Sequence, residues 1–201
     1  MKKTALNLPN TLSFIRVLLV PVFVATLLFM RDIPLWGMIV PAIVYIITGL
    51  TDMLDGKIAR KYNLITDFGK FIDPLADKFM VLSSMIAILV WMILRGETTL
   101  ALVFVWVVLI ILLRELGVTS LRLVVAGNSG IVVAASLLGK IKTVSQMVGT
   151  VALIIEPVIP LPIFSEYHVL SYFFMAVMAF TTLFSGLDYL KAYLPHIDTN
   201  K

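Results

Sequence analysis

Four aspartates form a fixed pattern within 26 residues of an otherwise apolar chain: Asp52-x-x-Asp55-Gly56-x-x-Ala59-Arg60, eight further residues, then Gly69-x-x-x-Asp73-x-x-x-Asp77. The first pair is spaced i,i+3 and the second i,i+4, so each pair shares one face of its own helix. Acid at the centre of a membrane helix costs about 2.5–3.5 kcal/mol per residue on insertion scales. Four carboxylates at a membrane edge therefore need cations. With no cysteine in the chain and no histidine near the window, the donor set favours a hard divalent ion: Mg²⁺, Mn²⁺ or Ca²⁺. Four negative charges balance two such ions, and a metal pair about 3.5–4 Å apart is a clamp for in-line displacement at phosphorus. Gly56 lets a bulky ligand approach the backbone, and Ala59 keeps the same face shallow. Arg60, two turns after Asp52, can grip a phosphate through two nitrogens. Acid for metal, small residues for a flat ligand and arginine for phosphate together point to a nucleotide diphosphate. A solvated interfacial turn would not require these spacings.

The elements that must position these residues are membrane helices. The chain has 201 residues, 60% hydrophobic and only 14% charged, with a mean hydropathy of +1.03. So little charge is foreign to a soluble domain of this length, and one integral membrane domain over 1–201 is expected. Disulfides and thiolate metal sites are excluded by the absence of cysteine. The formal charge of +4 fits loops facing anionic lipid or phosphorylated substrates, with no nucleic acid implied. Apolar runs predict six transmembrane helices: Asn10–Met30, Leu35–Arg60, Phe68–Leu94, Thr99–Val125, Lys140–Ile155 and Glu166–Tyr193. Residues 1–9 read as a short interfacial segment. No small-residue cleavage site follows the first run, which reads as a retained helix. The three glycines between Ala126 and Gly139 predict a loop or broken helix. Pro21 and Pro41 are expected to kink their helices.

Basic residues set the orientation. With a cytoplasmic N-terminus, the outer loops near 31, 95 and 156–168 hold only Arg31 and Arg95. Lys2, Lys3, Lys57, Arg60, Lys61, Lys70, Arg122, Lys140, Lys142 and Lys191 fall at cytoplasmic ends, a strong positive-inside pattern. Both termini are then inside. Asp52 lies about 26 Å beyond Leu35 at 1.5 Å per residue, near the cytoplasmic edge. Asp73 and Asp77 open the next helix from the same side, so all four carboxylates can meet at one cytoplasm-facing mouth. In the second half, Arg114 sits deep enough to need a partner, with Glu115 beside it. Arg122, Lys140 and Lys142 lie on the same side as the acids.

The window resembles in full the signature of the CDP-alcohol phosphotransferase family. Further matching stretches are Pro9-Asn10-x-Leu12-Ser13-x-x-Arg16, Arg114-Glu115 with Leu121-Arg122, and Gly139-Lys140-x-Lys142-Thr143-x-x-Gln146-Met147. The last two are similar to the branch that takes glycerol phosphate. The resemblance implies transfer of a phosphatidyl group from CDP-diacylglycerol to sn-glycerol 3-phosphate, with two divalent cations, Mg²⁺ or Mn²⁺. By motif position Asp52 and Asp73 would bridge both metals. Asp55 would complete one site and Asp77 the other, Asp77 also serving as general base. Asn10, Gly56, Ala59, Arg60 and Thr66 match positions that hold the CDP moiety. Arg114, Arg122, Lys140 and Lys142 would hold the acceptor phosphate, with Glu115 orienting one of them. A homodimer in the cell membrane, with helices three and four as candidates for its packing, is also implied. Lys78 adjoins the site without an assigned role.

Plainer roles compete with these. Arg114 could be a structural ion pair with Glu115. Arg122, Lys140 and Lys142 could be ordinary positive-inside charge. Asn10, Ser13 and Arg16 could cap and anchor the first helix, and Thr66 could cap the third. Trp36, Trp91 and Trp106 read as interface anchors or packing, and His168 and His196 as bystanders. Among functions, a family member using inositol phosphate, serine or phosphatidylglycerol would keep the same catalytic core. A membrane prenyltransferase would need a second paired acid motif, which the second half lacks. A divalent cation channel or transporter would explain buried acids, but not Gly56, Ala59 and Arg60 at fixed offsets.

Overall fold

The computed structural model describes residues 8–61, 67–129 and 136–193, with the side chains of 8, 9, 52–61, 67, 70 and 126–129 outside the description. All regular structure among the described residues is helical: α1 (Leu8–Phe29), α2 (Trp36–Lys61), α3 (Asp67–Leu94), α4 (Thr98–Ser129), α5 (Leu137–Ile155), a single 3-10 turn (Glu156–Val158), the one-turn α6 (Pro162–Ser165) and α7 (Val169–Tyr193). The helices pack as a closed ring. Each long helix packs chiefly against two neighbours, in the order α1, α2, α5, α7, α4, α3 and back to α1, and α3 also touches α5 across the ring. Polar side chains on the inner walls can therefore share one enclosed space.

The ring has an apolar outside as well as an apolar inside. Phe23, Leu27, Trp91, Phe104, Ile111 and Met178 are fully buried, while Phe29, Trp106, Leu113 and Leu123 are largely exposed. A water-soluble bundle would not present such a surface. Among the described residues five helices are long and apolar enough to cross a membrane: Asn10–Phe29, Phe71–Leu94, Thr98–Val125, Leu137–Val158 and Val169–Tyr193. The chain is thus a multi-pass membrane protein. The expected sixth span is shorter. Among the described residues the apolar stretch of α2 runs from Trp36 to Thr51, and in the sequence the acidic motif begins at the next residue, Asp52. Pro21, Pro41 and Pro74 lie inside helices that continue through them.

Local chemistry explains where the helices stop. After α3 the chain reverses at Gly96, whose φ of +79° suits glycine. Gly96 N donates to Ile93 O at 3.0 Å and Glu97 N to Met92 O at 3.0 Å, closing the helix end. Helix α5 begins at Leu137, three residues before the sequence reading. Ser136 is its N-cap, accepting from Gly139 N at 3.1 Å. Helix α4 runs on to Ser129, past the expected end at Val125. Helix α7 starts at Val169 and not Glu166, since His168 has a φ of +50°.

Seams between helices combine close approach with polar pairing. A Cβ at Gly149 of α5 would lie 2.7 Å from Met178 Sδ of α7, so any larger residue there would have to displace the Met178 side chain. One turn earlier on α5, Gln146 donates to Thr182 at 3.2 Å, and Ser145 and Thr181 share a hydrogen bond of 2.7 Å. Interhelical bonds of this kind link membrane helices where apolar burial cannot. The N-terminus of α7 is capped from a distance. Glu156, 1% exposed, accepts from Leu170 N at 2.7 Å, from Ser171 N at 2.9 Å and from the Ser171 hydroxyl. A carboxylate placed there meets both the unpaired N–H groups and the positive end of the helix dipole. Glu156→Ala should cost about 2–3 kcal/mol of stability by stranding these donors. Thermal unfolding in detergent micelles measures the loss, and a variant as stable as the parent would remove Glu156 as the cap.

Candidate active site

Helix α1 is fastened to α3 through two of the four aspartates. Ser13 Oγ donates to Asp73 Oδ1 at 2.5 Å, and Arg16 Nη1 donates to Asp77 Oδ1 at 2.6 Å. The donors are spaced i,i+3 on one helix and the acceptors i,i+4 on the other, so both pairs form along one seam. The Arg16 side chain is fully buried, whereas that of Asp77 is 53% exposed. Asp77 thus turns one oxygen to the protein interior and retains an open flank. Asn10, one turn before Ser13, is also buried. These contacts exceed the capping and anchoring roles considered for Ser13 and Arg16. Their signal in the sequence was an arginine inside an apolar run, which needs an anion at its own depth.

Asp52, Asp55, Gly56, Ala59 and Arg60 all lie within α2, but their side chains lie outside the described residues, and Thr66 lies outside them altogether. Among the described residues no three acidic, histidine or cysteine side chains gather. The part of the donor set that is described fits a hard divalent cation: two carboxylates one helical turn apart, without nitrogen or sulfur ligands.

Beside Asp77 opens a cavity of about 310 Å³. Its walls come from α2 (Tyr45 and Gly49), α3 (Asp77, Lys78 and Met80), α4 (Arg114, Glu115 and Arg122) and α5 (Lys142 and Gln146). Three of the four cations expected to hold a phosphate therefore face one space. Lys140 is exposed and is not part of the lining. Lys78 joins the lining instead. Among the described lining residues four cations face Asp77 and Glu115, and low-dielectric walls concentrate the field of this positive excess on an entering anion.

Glu115 organises two of these cations. Its Oε1 accepts from Arg114 Nη1 at 3.1 Å and from Lys142 Nζ. Arg114 is further fixed by Nη2 donating to Ser185 Oγ at 2.7 Å. Arg114 therefore makes the ion pair with Glu115 and also lines the cavity. Its Nε is buried without a hydrogen-bond partner among the described residues. Tyr189 organises the remaining arginine. Arg122 Nη2 donates to its hydroxyl at 2.7 Å, and the guanidiniums of Arg114 and Arg122 lie 5.2 and 4.9 Å from its ring centre. Ser136 N donates to the same hydroxyl at 3.4 Å, which ties the start of α5 to the arginines of α4.

Sequence reasoning missed Ser185 and Tyr189. Their i,i+4 spacing on α7 was the available signal, but nothing in that apolar helix indicated which face meets α4. The contrast between the two lysines of α5 is testable. Lys142→Met should cost about 3–5 kcal/mol by leaving Glu115 buried with one cation fewer. Lys140→Met, at an exposed position, should leave stability within experimental scatter. Equal effects in thermal unfolding would show that the buried pair is not the organising contact.

The comparisons accord with this geometry. The family model for CDP-alcohol phosphatidyltransferase matches residues 6–185. The chain is 39% identical over 201 aligned residues to a Bacillus subtilis (strain 168) protein named CDP-diacylglycerol–glycerol-3-phosphate 3-phosphatidyltransferase, covering 92% of this chain and 94% of that one. It is 35% identical over 192 residues to the Escherichia coli (strain K12) protein of the same name, with the same coverage. A probable phosphatidylglycerophosphate synthase of Mycobacterium tuberculosis (strain ATCC 25618 / H37Rv) is 35% identical over 191 residues, covering 95% of this chain and 83% of that one. A basic cavity beside Asp77 and this likeness along nearly the whole chain agree: it belongs to the CDP-alcohol phosphatidyltransferase family.

Proposed function

We propose that this enzyme transfers the phosphatidyl group of CDP-diacylglycerol to sn-glycerol 3-phosphate, releasing CMP and forming phosphatidylglycerophosphate. The observation that carries the reading is the adjacency of Asp77 to the cation-lined cavity. An acceptor phosphate held by Arg114, Arg122 and Lys142 would present its hydroxyl end toward α3. Asp77 would take the proton of that hydroxyl as the oxygen attacks the β-phosphorus, and the bond from that phosphorus to the CMP oxygen breaks. Asn10, Gly56, Ala59, Arg60 and Thr66 would hold the cytidine diphosphate. Asp52, Asp55, Asp73 and Asp77 would hold two divalent cations, Mg²⁺ or Mn²⁺, which neutralise charge on the transferring phosphoryl group. The packing around Gly49 supports the convergence of these acids. A Cβ there would lie 3.6 Å from Met80 Cε of α3. Asp52 is one turn beyond Gly49 and Asp77 one turn before Met80, so the α2 backbone at Asp52 comes level with Asp77.

We place the site at the cytoplasmic face of the cell membrane, with α2 as a sixth crossing. Charge pairing supports this. The two basic residues of the opposite face are each tied to a neighbouring acid, Arg31 to Asp32 at 3.5 Å and Arg95 to Glu97 at 3.1 Å. The cavity cations instead outnumber their acids. A homodimer belongs to the same reading, and α4 offers it an exposed stripe of Leu102, Trp106, Leu109 and Leu113.

CMP release from CDP-diacylglycerol with a panel of alcohol acceptors tests the reaction. Glycerol 3-phosphate should be the productive one, and productive turnover with serine or inositol phosphate instead would reassign the acceptor. Asp73→Ala should abolish turnover, and a chelator should do so reversibly in the parent. Full activity in chelator would end the metal assignment. Asp77→Asn should lower kcat by about 10²–10⁴-fold, whereas Arg122→Ala should raise KM for glycerol 3-phosphate, because it contacts a phosphate that does not react. A change confined to donor KM would move Arg122 to the lipid head group. For topology, single cysteines in this cysteine-free chain at Asp32 and Glu97 should label from outside, and those at Asn63 and Asn128 from the cytoplasm. Reversed labelling would invert the orientation.

A further inference from the structure

Arg16 is the least expected charge in the molecule. It sits inside an apolar span, its side chain is fully buried, and it meets a carboxylate already committed to the proposed metal site. The metal ions would bring four positive charges to four aspartates. Before they bind, those aspartates stand at the edge of an apolar medium, where like charges repel strongly. A fold that depended on the ions alone would be unfolded without them, as small metal-stabilised domains are. We propose that Arg16 is a built-in counter-cation of the acid cluster, stabilising the metal-free protein more than the metal-loaded one. Ser13 acts beside it as a neutral donor that sets the orientation of Asp73. This rests on the reading of the four aspartates as the divalent-cation site.

The proposal has a thermodynamic signature distinct from plain structural support. A group that stabilises the metal-free state more than the loaded one reduces the stabilisation gained on metal binding. Removing it must enlarge that gain. A residue that merely holds helices together would leave the gain unchanged. One that only orients Asp77 would shrink it, since loss of such a partner weakens metal affinity by about 10–100-fold.

Thermal unfolding of the full chain in detergent micelles, in chelator and then in excess Mg²⁺ or Mn²⁺, separates these cases. Arg16→Met should unfold at a lower temperature than the parent in chelator and show a larger rise with metal. An equal or smaller rise overturns the proposal. The second arm needs no metal. In chelator, Arg16→Met with Asp77→Asn should unfold at a higher temperature than Arg16→Met alone, because the charge requiring compensation has gone. A double variant no more stable than the single one also overturns the proposal. If Arg16→Met yields no folded protein, a folded double variant is itself the gain expected in the second arm, and in the metal titration Arg16→Lys replaces the single variant, keeping the charge but not the fork. It should then show parental metal dependence, and a rise unlike the parent's overturns the proposal. If the parent itself shows no metal response, it is the metal assignment that fails, and the double variant still decides the role of Arg16.

Discussion

A charge inside an apolar medium must be met by an opposite charge at the same depth, and most of this structure follows from that requirement. Arg16 meets Asp77, and Lys142 and Arg114 meet Glu115. Each of these contacts joins two helices or orders one helix face. Apolar burial does little to choose partners among membrane helices, because lipid tails are as apolar as leucine. The polar contacts therefore fix which helix lies beside which. Ser13 and Arg16 set α1 against α3, Glu115 sets α4 against α5, and Ser185 and Tyr189 set α7 against α4.

The same contacts build the cavity. Closing six helices into a ring leaves a space only where the inner side chains are polar and poorly packed against one another. Toward the other end of the ring the interior is apolar, with Trp91, Met92 and Phe104 fully buried. Toward the acids the filling gives way to Lys78, Arg114, Glu115 and Lys142. The site is thus a gap in the core whose walls carry charge. Its shape depends on Tyr189, whose ring lies beneath two guanidiniums and whose hydroxyl reaches the first turn of α5.

Much of this was legible in the sequence, for identifiable reasons. Apolar runs bounded by Arg31-Asp32 and Arg95-Gly96-Glu97 located the helices to within a few residues, since lipid leaves the backbone few alternatives. The spacing of Asp73 and Asp77 predicted a shared helix face, and they do lie along one seam. What the sequence concealed was pairing across helices. Ser185, Tyr189 and Lys78 are commonplace residues in their own helices, and only the ring order turns them toward Arg114 and Arg122. Lys140 and Lys142 read alike as positive-inside charge. The ring buries one and exposes the other. The cap at Glu156 was hidden because its partners, Leu170 and Ser171, lie across a proline-rich turn.

The short apolar length of α2 bears on the shape of the membrane itself. In the sequence the apolar run of α2 from Trp36 to Thr51, ahead of the acid at Asp52, spans about 24 Å along a helix, against a hydrocarbon core of about 30 Å. A bilayer meets such a helix by thinning around it. The phosphate plane would then dip toward the bilayer centre beside α2, on the flank that carries Asp52 and Asp55. A lipid diffusing sideways into that depression would bring its own phosphates to the level of the aspartates with its acyl chains still in hydrocarbon. The surface step needed to lift a membrane-bound donor into an aqueous pocket would be taken by the bilayer.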